Sequence, residues 1–124
     1  MSESPPVAGP IEPLVAAHLD AWNAPAGPGR DQAVERIYAA DVSIAEPSGV
    51  LQGHDGMGHA ISRLQAQLPG TSITRSDPIQ VVQDLVTYRW TLGPPGRSPN
   101  AAGRDVLIVR DGRIASVYVV MDTP

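Results

Sequence analysis

The run Asp105-Val106-Leu107-Ile108-Val109, then Arg110-Asp111-Gly112-Arg113, then Ile114 to Met121, decides how this chain folds. Two apolar runs joined by a few residues that include Asp-Gly are the signature of a β-hairpin. Strand side chains alternate, so Asp105 shares a face with Leu107 and Val109. A carboxyl group on an apolar face is paired, neutral or part of a working site.

Outward from the hairpin, the pattern keeps a period of two. Val86, Tyr88, Trp90 and Leu92 alternate with Thr87, Arg89 and Thr91, the cleanest strand in the sequence. Gly93 to Gly103 reads as a long loop. Ile73 and Ile79 to Val82 read as one bent strand interrupted at Pro78.

Before Thr71 the period is 3.6. Ile11, Leu14, Val15, His18, Leu19 and Trp22 predict a first helix ending before Pro25. Asp31 is the expected N-cap of a second, with Val34, Ile37 and Tyr38 on its stripe. Val42 to Ala45 and Val50 to Gln52 are short strands. A third helix follows Gly53, carries Met57, Ile61, Leu64 and Leu68, and stops at Pro69-Gly70. Residues 1–10 read as a flexible tail and 11–124 as a single domain. Helices first and an antiparallel meander after them make an α+β fold, with helices on one face of a sheet.

The 124 residues suit one core. Nine Arg, no Lys and thirteen acids give a net charge of −4, and the Arg residues are scattered. No nucleic-acid partner is expected, because phosphate binding needs a clustered basic surface. With no Cys, disulfides and thiolate metal sites are excluded. No apolar stretch approaches membrane-spanning length, and the first residues lack the pattern of a signal peptide, so a cytoplasmic protein is expected. His54 with Asp55 lacks a third ligand at sensible spacing, so no metal is expected. His54 and His59 lie off the helical stripe and should face solvent.

Several local motifs, in order, resemble the NTF2-like superfamily, which includes SnoaL-like polyketide cyclases and Δ5-3-ketosteroid isomerases. They are Asp20-Ala21-Trp22-Asn23, Tyr38-Ala39-Ala40-Asp41-Val42, Ile44-Ala45-Glu46-Pro47-Ser48-Gly49, Gly103-Arg104-Asp105-Val106-Leu107 and Arg110-Asp111-Gly112-Arg113-Ile114. The resemblance implies a cone-shaped (cystatin-like) fold, with three helices packed on a curved, mixed, mainly antiparallel sheet around a deep hydrophobic pocket. It also implies a homodimer through the outer sheet face, which the apolar outer side of the last hairpin would suit.

By the same resemblance Glu46 takes the place of the family's general base and Asp105 that of its oxyanion-hole acid. His18, five residues before Asn23, stands where the family has a Tyr, and Trp90 or Tyr88 is the candidate for a compensating contact. The implied enzyme needs no cofactor. It moves a proton on a small hydrophobic carbonyl compound, steroid- or polyketide-like, by isomerisation or cyclisation. Glu46 abstracts the proton, while Asp105, kept neutral by an apolar setting, donates a hydrogen bond to the enolate. Trp22, Met57, Ile61, Tyr88, Trp90, Leu107, Val117 and Val119 are the expected pocket wall.

Three alternatives compete. Asp105 can be structural, paired with Arg104, Arg113 or Arg89, while Glu46 is a solvated loop acid and His18 a buried structural histidine. The fold also hosts epoxide hydrolases of the limonene-epoxide type, which need an Arg beside the carboxylates; Arg104, next to Asp105, points to the opposite face. A non-catalytic ligand-binding or dimerisation module is the third.

Overall fold

A computed structural model describes residues 10–122. The tail expected over 1–10 therefore lies, apart from Pro10, outside the described residues.

Helix α1 (Ile11–Asn23) buries Val15, His18, Ala21 and Trp22 on one stripe. Helix α2 (Pro28–Ile37) starts earlier than Asp31, because Pro28 occupies the first turn, where its missing N–H costs nothing. Strand β1 (Tyr38–Glu46) also starts earlier than expected. Tyr38 leaves the helix and opens the strand. A fully buried phenol is worth more on the sheet than as a further helical residue.

Strand β2 (Gly49–Gln52) hairpins back on β1, and α3 (Gly53–Gln67) packs across both. The bent strand expected from Ile73 to Val82 is instead two strands, β3 (Ser72–Arg75) and β4 (Gln80–Val82). The Ser76–Ile79 break spans Pro78, which cannot donate to a ladder. Both pieces pair with β5 (Leu85–Gly93). Strands β6 (Ala101–Arg110) and β7 (Arg113–Met121) form the closing hairpin. Its turn has positive φ at both Asp111 (54°) and Gly112 (78°), the geometry that matches strand twist.

The sheet runs β2-β1-β7-β6-β5-β3, with β4 also on β5. Among the described residues only β1 and β7 pair in parallel, and the other strand pairs are antiparallel. Register shifts between Tyr38 and Ser43, and between Ile108 and Val109, are where bulges bend the ladder. The result is a curved, unclosed, mixed sheet of seven strands and three helices. Burial alternates cleanly along β5 and β6, so Val86, Tyr88, Trp90, Leu92, Asp105, Leu107 and Val109 all face the helices. On the outer face Tyr118 and Val120 are exposed. Among the described residues no helix is long and apolar enough to cross a membrane.

Candidate active site

Asp105 and Tyr88 are directly paired across β5 and β6, and Trp90 lies one inward position further along β5. This register aims two donors at one carboxylate. The Tyr88 hydroxyl donates to Asp105 Oδ2 at 2.7 Å, and the Trp90 indole N–H donates to Oδ1 at 2.9 Å. From α1, His18 Nε2 reaches Oδ2 at 3.1 Å. The other ring nitrogen, Nδ1, lies 2.5 Å from the Tyr38 hydroxyl. In the neutral ring the carboxylate fixes the tautomer: Nε2–H donates to Asp105, so Nδ1 accepts from Tyr38 O–H.

Burial is the main force on both phenols and pushes their pKa values well up. For Tyr88 the neighbouring Asp105 charge, and then the hydrogen bond to it, add to the rise. For Tyr38 the Trp22 indole works in the opposite direction, and the Asp105 charge adds a smaller upward push. The Trp22 N–H is buried and meets no acceptor at hydrogen-bond geometry, so its effect on Tyr38 is that of a nearby dipole rather than a formed bond. Both phenols therefore remain proton-bearing donors at neutral pH.

Asp105 thus accepts three donors on two oxygens. A neutral, donating Asp105 would need the other His18 tautomer, with Nε2 accepting its proton. A carboxylate has about four lone-pair positions, so one remains, on Oδ1. None of the arginines considered as partners reaches it. Arg104 donates to Thr87 Oγ1 and lies 3.9 Å from Asp77 on the outer face; Arg113 bonds the Arg36 carbonyl; Arg89 pairs with Asp122. No arginine therefore stands beside Asp105 as an epoxide hydrolase of the limonene-epoxide type would require.

Asp105 lies in the wall of an apolar cavity of about 250 Å³. His18, Trp22, Trp90, Val117, Val119, Glu46 and Pro47 line it too. Four expected wall residues do not line it. Met57 and Ile61 are fully buried earlier along α3, and Leu64 and Leu68, later on the same stripe, reach the cavity instead. Leu107 pairs with Val86 toward the hairpin turn and is core. Tyr88 is fully buried and meets Asp105 through its hydroxyl. The sequence reading also missed Ile73, Leu92 and Ala101, which flank loops, and the polar part played by Tyr38. A buried tyrosine needs a hydroxyl partner, and that was the one available signal for Tyr38.

Glu46 ends β1 and is part-buried. Its Oε1 accepts from Arg63 Nη2 of α3 at 2.5 Å. Of the other histidines, His59 is exposed as expected, but His54 is part-buried and bonds the Tyr38 carbonyl at 2.9 Å. Among the described residues no group of three or more His, Cys, Asp or Glu is placed to hold a metal ion.

A curved open sheet wrapped on three helices, with a cavity between them, defines the NTF2-like, ketosteroid isomerase-like class of fold. The family model of the SnoaL-like domain matches residues 15–117, and the chain belongs to that family. Among solved structures it is similar to a candidate isomerase of the SnoaL-like family from Agrobacterium tumefaciens. The TM-score is 0.83 at 22% identity, over 90% of this chain and 97% of that one. It is similar to a candidate polyketide cyclase from Sinorhizobium meliloti at TM-score 0.71 and 18% identity, over 86% and 93%. A protein of ketosteroid isomerase-like fold from Catenulispora acidiphila, in complex with trimethylamine, matches at TM-score 0.70 and 20% identity, over 86% and 82%. Among curated proteins no relative matches.

Proposed function

We propose that the protein is a cofactor-independent acid–base enzyme that moves a proton on a small hydrophobic carbonyl compound held in the cavity. Membership of the SnoaL-like family, with isomerase- and cyclase-like proteins among the structural relatives, supports that reaction class. The observation that carries the reading is the Asp105 carboxylate itself, buried in an apolar wall, held by Trp90, Tyr88 and His18, with one lone pair left over.

In this reading Asp105 takes the proton from the carbon beside the carbonyl and returns it at another carbon, or at the oxygen after ring closure. The three donors hold the carboxylate in place before the substrate arrives, so no reorganisation is needed during proton transfer. The apolar walls exclude water, which would otherwise quench the carbanion. Glu46 is the second carboxylate in the cavity wall and is tied to Arg63. The role of base thus moves from Glu46 to Asp105.

The test is deuterium exchange into 2-tetralone, a bicyclic ketone with acidic C–H bonds, followed by NMR in heavy water. The wild-type chain should accelerate exchange, and Asp105→Asn should lose about 10²–10⁴-fold of that rate while keeping its circular dichroism spectrum. Equal rates in the two proteins overturn the reading. Glu46→Gln separates the two assignments: a collapse in rate, with Asp105→Asn little affected, returns the base to Glu46.

A further inference from the structure

The apolar cavity shares part of its wall with a second space. Glu46, Pro47, Leu64 and Gln67 belong both to its wall and to a second, more open hollow of about 310 Å³, where Ser48 and Arg63 join them. The two spaces are neighbours sharing one side, an apolar chamber with a polar vestibule. Glu46 and Arg63 are the vestibule's charged lining residues, and they face each other at 2.5 Å. Their charges cancel. An anionic group entering there is attracted by Arg63 and repelled by Glu46, and a cationic group the reverse, so neither gains a net charge partner from the intact pair.

A neutral hydroxyl escapes that conflict. Its O–H can donate to Glu46 Oε2, which has no hydrogen-bond partner among the described residues, while its oxygen accepts from the remaining N–H groups of Arg63. The pair stays intact and gains two hydrogen bonds. We infer that the ligand is bipartite: an apolar, carbonyl-bearing ring body in the chamber and an uncharged hydroxyl head in the vestibule, read by Glu46 and Arg63. This inference rests on the proposed chemistry at Asp105 for the orientation of the body, but the head-group site stands on its own geometry.

Trp22 and Trp90 line the chamber, so their fluorescence reports occupancy directly. Three probes suffice: 2-tetralone, 6-hydroxy-2-tetralone and the 6-carboxylate analogue. In the wild-type chain the hydroxyl compound should bind about ten-fold more tightly than the parent, the gain expected of one to two net hydrogen bonds. The carboxylate should bind no better than the parent. In Glu46→Leu/Arg63→Met, which has no polar group left to read the head, the hydroxyl compound and the parent ketone should bind equally tightly. A hydroxyl compound that binds no better than the parent, or a carboxylate that binds best, overturns the inference. So does a hydroxyl advantage that survives in the double variant. If the parent still binds and exchanges in an Asp105-dependent way, the head-group assignment alone has failed. If none of the three binds, both readings fall.

Discussion

Gly103 and Trp90 are paired residues on β6 and β5, and the indole occupies the space that a side chain at Gly103 would need. A Cβ there would lie 2.7 Å from Trp90 Cζ2 and 2.3 Å from the Val120 carbonyl oxygen. The missing side chain leaves room for the ring, whose N–H donates to Asp105, two residues along from Gly103. Gly103→Ala should therefore act on the carboxylate through the tryptophan. We expect a loss of about 1–3 kcal/mol, typical of overpacking where backbone blocks relief. The emission of Trp90 should shift, measured in a Trp22→Phe background. An unchanged melting temperature together with unchanged emission would show that the strand absorbs the methyl group freely.

The network around Asp105 predicts which replacements are tolerated. Asp105→Ala removes one acceptor and strands three buried donors, those of Tyr88, Trp90 and His18. Unsatisfied buried donors cost about 1–3 kcal/mol each, partly relieved by water entering from the cavity, so a net loss of about 3 kcal/mol is expected. Asp105→Asn keeps one acceptor oxygen and should lose less. Chemical denaturation of the two variants tests the order: if alanine is the more stable, the donors are not held by the carboxylate.

Much of this was legible in the sequence, and the failures share a cause. The hairpin was readable because Asp111-Gly112 specifies a turn and the flanking runs have period two. Asp105 stood out because a carboxyl on an apolar face violates local pattern. That it would be ringed by donors was not readable, since the pairing of Tyr88 with Asp105 depends on register across a long loop. Tyr38 was assigned to a helix because its spacing from Val34 and Ile37 fits one; the competing demand for a buried phenol at the start of β1 is tertiary. Met57 and Ile61 were placed in the pocket because a stripe shows which face is inward, not where along the helix the core ends and the cavity begins.

Alkali should reveal the two buried phenols. Tyr38 and Tyr88 both have pKa values raised above the ordinary 10.0, chiefly by burial. In the unfolded chain they ionise near that ordinary value, so above it the unfolded state binds fewer protons than the folded one. The stability they contribute is whole below pH 10 and declines as pH rises beyond it. Absorbance at 295 nm should show two tyrosines that ionise only with the loss of ellipticity. Tyr38→Phe and Tyr88→Phe should each flatten the fall in stability above pH 10. Ionisation of all three tyrosines before any unfolding would contradict the burial assigned to them.

The position of α1 against the cavity depends on Arg30. This arginine is buried, and among the described residues no carboxylate accepts from it. Its guanidinium donates to the Ala24 carbonyl at 3.2 Å, to Gln65 Oε1 at 3.4 Å and to Ser62 Oγ at 2.5 Å. Gln65 in turn donates to the carbonyls of Trp22 and Ala24. The cation thus sits at the negative end of the α1 dipole and ties that end to α3. The tie fixes the turn of helix that carries Trp22 and, one turn earlier, His18. Arg30→Met keeps the buried stem and removes the donors. A loss of about 2 kcal/mol is expected, or roughly 8 °C in melting temperature for a chain of this length. Arg30→Lys should recover little, because one ammonium cannot span the carbonyl and hydroxyl positions that the planar fork reaches. Differential scanning calorimetry of both variants decides it: a methionine variant as stable as wild type would show that packing of the stem, and not the guanidinium, holds α1 in place.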